Sequence, residues 1–274
     1  MASAVKPESR RFEEFADKTT TIRPVARNQG INLNDAVLLA GFPGPGLVGS
    51  MSANYIIEQQ KMHQIAYVDS DFITPGVIFI GGRLRHPFRI YANEEGTACV
   101  LVCDSPLVLA GIRSLLNSVV RWAQSNGIRE VIVLEGIAIS EMPEQERKPM
   151  VLSSDGRSDD HGYLSRMKSG ETNAPALPPA FIAGVSGGLL ASCLSNGIPC
   201  TGLLIPAPAR IPDPEGAAIL IETANRLANN PFKIDVHKLR NEAAELKRQM
   251  QELINSVRRQ QDQTRPDGSL GIYT

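Results

Sequence analysis

Ala36–Ala40, Ala98–Cys103 and Val131–Leu134 are apolar at every position. A strand with one wet face alternates apolar and polar residues, so a run without polar positions marks a strand covered on both sides. Cys200–Ile205 reads as a further strand. Segments with helical spacing stand among them, at Leu47–Lys61, Leu107–Ser125, Ala183–Ser195 and Pro212–Ala228. Buried strands alternating with helices predict an α/β fold, a mainly parallel sheet covered by helices on both faces. The punctuation agrees. Asn126-Gly127 and Asn196-Gly197 end helices, and Asp213-Pro214 opens one. Gln64–Val68 reads as a further short strand, while Val77–Ile80 and Phe88–Tyr91 flank Gly81-Gly82 and read as a hairpin or adjacent strands.

The rest of the chain divides around this core. Residues 1–34 read as a loose leader with a short helix around Arg11–Asp17, and residues 35–231 as the core domain. Within the core, about 141–179 is a polar insertion rich in Ser, Gly and Pro, with marginal strands at Met150–Leu152 and Tyr163–Leu164. Residues 232–262 carry a heptad: Val236, Ala243, Met250 and Val257 take its first core position, and Leu239, Leu246 and Leu253 its second. Such a seam joins sister helices into a coiled coil and a homo-oligomer, or packs on its own domain. Pro266 and Gly268 stop the helix, and residues 263–274 read as a flexible tail ending in Ile272-Tyr273-Thr274. An apolar residue, a Tyr and an α-carboxylate beyond a solvated leash suit capture by a partner with a pocket and a cation.

Composition removes several function classes. A net charge of −1 gives no basic excess for nucleic acid, and aromatics at 5% give no base-stacking platform. No apolar run approaches the ~18–20 residues of a membrane span. Met1–Arg27 lacks the apolar stretch of a signal peptide, so the expected location is cytoplasmic. Cys99, Cys103, Cys193 and Cys200 lack metal or redox spacing and read as buried free thiols. His63, His86, His161 and His237 are scattered, so no metal and no catalytic residue is assigned. Arg83, Arg85 and Arg89 read as decorating a solvated strand face, or an oligomer or partner surface. Asp104-Ser105 and Glu135 end strands at the edge where α/β proteins bind ligands.

The glycine-rich segment Gly41–Gly49 offers one chemical alternative. Gly44, Gly46 and Gly49 fit the dinucleotide fingerprint, and Asp69 follows Gly49 by twenty residues at the end of the next strand. That pattern would make a nucleotide- or small-molecule-binding α/β enzyme. Against it, Pro43 and Pro45 remove two amide donors from the loop that should cradle phosphate. A tight strand-to-helix crossover needs the same glycines without any cofactor.

Taken together, Gly41-Phe-Pro-Gly-Pro-Gly-Leu-Val-Gly49 with Ala53-Asn54-Tyr55-Ile56-Ile57 resembles the archaeal proteasome assembly chaperone family. Asp71-Phe72-Ile73-Thr74-Pro75-Gly76, Gly82-Arg83-Leu84-Arg85, Arg89-Ile90-Tyr91 and Glu135-Gly136 extend the resemblance across about residues 35–230. The resemblance implies a nucleoside-phosphorylase-like core, no enzymatic activity, no cofactor, and a role in forming or binding the 20S proteasome. Some members end in a hydrophobic-Tyr-any motif that docks between α-ring subunits, and Ile272, Tyr273 and Thr274 match it position by position. Motif-bearing members are similar in forming homo-oligomers. The implied partners are therefore 20S α-subunits and further copies of the chain.

Overall fold

A computed structural model describes residues 15–16, 19–25, 30–140, 147–154, 181–227, 231–245 and 248. Its strands are β1 (Phe15–Ala16), β2 (Thr20–Pro24), β3 (Val37–Gly41), β4 (His63–Ser70), β5 (Ile78–Ile80), β6 (Arg83–Arg85), β7 (Phe88–Ala92), β8 (Ala98–Cys103), β9 (Glu130–Ile139), β10 (Met150–Ser153) and β11 (Cys200–Pro208). The helices are α1 (Val48–Gln59), α2 (Ile112–Ser125), α3 (Gly184–Asn196) and α4 (Pro214–Arg226). Nine strands form one sheet in the order β1-β2-β4-β7-β8-β3-β9-β11-β10. The four at its heart, β8, β3, β9 and β11, run parallel, and antiparallel strands flank them.

The uniformly apolar runs are buried on both sides for a simple reason. In β3, Leu38 and Ala40 join a core with Leu115, Val119, Leu189 and Cys193 from α2 and α3. Val37 and Leu39 face the opposite core, built with Val48, Ile56, Leu220 and Ile221 from α1 and α4. Period-two geometry sends neighbouring side chains to opposite faces, so a strand between two helical layers has no wet position.

Three elements differ from the sequence reading. The leader is not wholly loose: β2 pairs antiparallel with β4, with Ile22 buried opposite Val68. The helix expected around residues 11–17 lies largely outside the described residues, and Phe15–Ala16 is a strand beside β2. The hairpin at Gly81-Gly82 joins β5 to β6, whereas Phe88–Ala92 is an interior strand between β4 and β8. Both glycines have positive φ, 57° and 74°, as a two-residue hairpin turn requires. Of the insertion, Met150–Ser153 forms the edge strand beside β11, while Tyr163–Leu164 lies outside the described residues.

Candidate functional site

The carboxyl ends of the parallel strands gather the residues that sequence reading singled out. At Gly41, a Cβ would lie 2.0 Å from the carbonyl oxygen of Gly49, and at Gly49 one would lie 2.4 Å from that of Leu134. The loop is thus a crossover in which β3, the first turn of α1 and β9 touch backbone to backbone. Gly46 has φ +64°, and its carbonyl accepts from the amide of Asp213 at 2.8 Å. A Cβ at Gly44 would meet Oε1 of Glu135 at 2.1 Å. Packing therefore accounts for all four glycines, with a carboxylate held against the loop rather than a cradle open to phosphate.

Asp69 does not join them. Its strand β4 is separated from β3 by β7 and β8, and its carboxylate pairs with Arg23 at 3.7 Å. A dinucleotide fold places that acid on the strand next to the glycine loop. The neighbours of β3 are β8 and β9, so the dinucleotide reading fails on geometry.

Three side-chain pairs close the rest of this edge. Arg89 is fully buried and donates to Asp104 at 2.5 Å, to the Tyr91 hydroxyl at 3.1 Å and to the His86 carbonyl at 2.6 Å. The expected solvated position of Arg89 is thereby corrected, because β7 is an interior strand. Arg147 forms an ion pair with Asp213, both side chains 7% exposed. Asp213 also caps α4, accepting from the Gly216 amide at 2.9 Å. Glu135 accepts from the Ser186 hydroxyl, and from the Gly136 amide at 3.0 Å. The two ion pairs offset their own charges and Glu135 accepts two hydrogen bonds, so the side chains of this edge are engaged with one another.

Burial pushes the Glu135 carboxyl above its ordinary 4.5, against the opposing hydrogen bonds from Ser186 and Gly136. A carboxyl whose folded value is raised contributes stability that is complete below its unfolded value and is lost as pH rises through the folded one. Glu135→Gln cannot ionise. Its thermal midpoint relative to wild type is expected to rise as pH goes from about 4 to about 7, and a gap that falls over this range would contradict the assignment.

The thiols offer no nucleophile at neutral pH. All four cysteines are buried, and burial pushes the Cys103 thiol up to about 12.

The root of the C-terminal helix is fixed to the core. Phe232, Ile234, Val236 and Leu239 are buried in the α1–α4 layer, and Ala243 is buried as well. The Tyr55 hydroxyl donates to the Asp235 carbonyl at 2.9 Å, and Arg240 pairs with Glu215 at 2.6 Å and with Glu222 at 2.8 Å. Residues 237–245 are helical. The first three heptad positions therefore pack on their own domain. Leu246, Met250, Leu253, Val257, Ile272, Tyr273 and Thr274 lie outside the described residues.

With this architecture in place, comparison with known proteins is informative. The sequence pattern of the PAC2 family matches residues 38–254. The chain belongs to the PAC2 family. An uncharacterized protein of Methanocaldococcus jannaschii is 25% identical over 224 residues, covering 81% of this chain and 87% of the relative. A solved Thermoplasma acidophilum protein of unknown function is 31% identical with a TM-score of 0.67, covering 86% of this chain and 92% of that one. Pyrococcus furiosus PbaA, described as an archaeal homolog of proteasome-assembly chaperone, superposes with a TM-score of 0.73 at 24% identity, covering 90% and 97%. PbaB from the same organism, described as an archaeal proteasome activator, gives 0.72 at 19% identity, covering 86% and 99%. These last two share the fold. Among the described residues, no helix of this PAC2 protein is long and apolar enough to cross a membrane.

Proposed function

We propose that this PAC2 protein is a non-enzymatic proteasome-binding factor, an assembly chaperone or ATP-independent activator, that docks Ile272-Tyr273-Thr274 into pockets of the 20S α-ring. The reading rests on the match of Ile272, Tyr273 and Thr274 to the hydrophobic-Tyr-any motif, in a PAC2 chain whose residues 232–243 pack on the core. The likeness to PbaA and PbaB supports the same class of partner. Ile272 and the Tyr273 ring fill an apolar pocket, and a free carboxylate at Thr274 pairs with a lysine. Three residues bury little surface and the leash loses entropy on docking, so one tail binds weakly. Several tails on a homo-oligomer raise avidity by roughly 100-fold or more.

The test is binding of purified α-ring or 20S particles to the wild-type chain, to a chain lacking residues 272–274, and to one extended by a glycine after Thr274. Binding is expected to fall at least ~10-fold in both altered chains while their thermal midpoints stay unchanged. Undiminished binding by the truncated chain would sink the mechanism.

A further inference from the structure

Between α2 and α3, on the side turned away from the sheet, runs an open groove of about 730 Å³. The two helices lie side by side in the same direction. A Cβ at Gly188 would meet Leu116 at 2.9 Å, and eight residues further along each helix Gln124 donates to the Asn196 carbonyl at 2.6 Å. Each wall of the groove is a row of residues four apart. On α2 the row is Arg113, Asn117 and Arg121, and on α3 it is Gly184, Gly188, Ser192 and Asn196. Such rows are the ridges by which helices pack, and the furrow between two of them receives the ridge of a third helix. Small side chains make up most of the α3 wall, so a third backbone can come close.

The groove carries donors that nothing satisfies. Arg113 and Arg121 are exposed and have no ion pair among the described residues, and the Asn117 side chain has no hydrogen-bond partner among them. Ser192 is only 4% exposed, yet its hydroxyl has no partner among the described residues either, whereas buried hydroxyls are ordinarily bonded. The opposite helical layer differs. There Lys238 pairs with Glu58, and Arg240 pairs with Glu215 and Glu222. Neither α2 nor α3 contains an Asp or a Glu, so their arginines cannot be answered from within the layer.

We infer that this groove receives a helix of a different protein, one whose facing row reads acidic, polar, acidic at four-residue spacing. Arg113 and Arg121 are eight residues apart, or about 12 Å along α2 at ~1.5 Å per residue. Two carboxylates eight residues apart on a docked helix have the same separation and meet the two guanidinium groups. The residue midway between them comes opposite Asn117 and Ser192, where a Gln or Asn amide can both donate and accept. Charge selects against a second copy using this same face, because two-fold pairing would set arginines against arginines. Shape selects a helix over a small anion. A small-molecule site encloses most of its ligand, and here both arginines stand on the rim of an open furrow. The inference does not depend on what the C-terminal tail binds.

Isothermal titration of the full chain with an alanine-rich helical peptide of about 18 residues tests it, the peptide carrying two Glu eight residues apart with Gln midway. Wild type is expected to bind with a Kd of about 10–100 µM, and a twin peptide with Gln in place of both Glu at least ~10-fold more weakly. The variant R113E/R121E is expected to bind the acidic peptide at least ~30-fold more weakly and to prefer a twin with Lys at the two acidic positions. Its thermal midpoint should not change, because both side chains are exposed. That exchange of preference separates lost complementarity from a damaged fold. Arg83→Glu, an exposed arginine on β6, is expected to bind as wild type does. No uptake by wild type up to about 1 mM, as a groove already covered by another copy would give, overturns the inference. So does equal affinity for the Glu and Gln peptides, an R113E/R121E chain that keeps wild-type affinity or gains none for the Lys peptide, or an Arg83→Glu chain that loses binding.

Discussion

Alanine at Gly49 is expected to remove on the order of 3–5 kcal/mol of stability, a large share of the 5–15 kcal/mol of a typical domain. The reason is that the new Cβ would meet backbone on both sides, the Leu134 carbonyl at 2.4 Å and the Phe42 carbonyl at 3.0 Å. Neither can rotate away, so α1 must lift from β3 and β9 as a unit, opening the core where Val48, Ala53 and Leu134 pack. Gly41→Ala meets the Gly49 carbonyl at 2.0 Å and belongs to the same class. Gly44→Ala is different. Its Cβ meets the Glu135 carboxylate, a side chain that can swing aside at the loss of its bonds to Ser186 and Gly136, about 1–2 kcal/mol. Denaturant midpoints of the three variants check the order. If Gly44→Ala were the most damaging, the loop would be shaped around something other than its own packing.

The two-sided burial of β3, β8 and β9 was legible because a parallel strand between helical layers leaves no polar position, and that pattern is local. Helix ends were legible for the same reason: Gly197 takes φ +67° after α3, and Asp213 caps α4. What escaped depends on sequence-distant partners. Arg89 alternates with apolar residues in Phe-Arg-Ile-Tyr-Ala, as it would on a half-wet strand, and only Asp104 and the flanking β4 and β8 make it a buried residue. β2 was hidden because its partner β4 lies some fifty residues on, with Thr20 opposite Ser70. The glycine fingerprint misled for a physical reason. Close backbone approach needs glycine whether the approaching group is a pyrophosphate or a neighbouring strand, and the decision rests on where Asp69 falls in the strand order. The heptad pattern predicts an apolar stripe, but a stripe does not name what covers it. Phe232 and Ile234 just upstream, both buried, show the chain already committed to its own α1–α4 layer.

Asp213→Ala is expected to cost about 4 kcal/mol, because one buried carboxylate serves two elements. It caps α4 through the Gly216 amide and pairs with Arg147 inside the insertion, while the backbone amide that holds the Gly46 carbonyl is kept in the variant. Loss of the cap alone accounts for about 1 kcal/mol. The larger part comes from Arg147, whose guanidinium is left charged at 7% exposure with, among the described residues, only the Pro206 carbonyl to accept from it. Substitutions separate the two contributions. Asp213→Asn keeps a capping oxygen and removes the charge, so it should retain the cap and still lose most of the stability. Arg147→Met with Asp213→Asn removes both charges and should recover at least half of that loss, giving a coupling energy of roughly 2–3 kcal/mol in a double-mutant cycle. Arg147 lies three residues before β10, so Asp213→Ala should also raise amide exchange along Met150–Ser153 well above that of β11, its neighbour in the sheet. If Asp213→Ala and Asp213→Asn both cost about 1 kcal/mol or less, and exchange in β10 does not change, then the cap carries the side chain's contribution and the ion pair does not hold the strand.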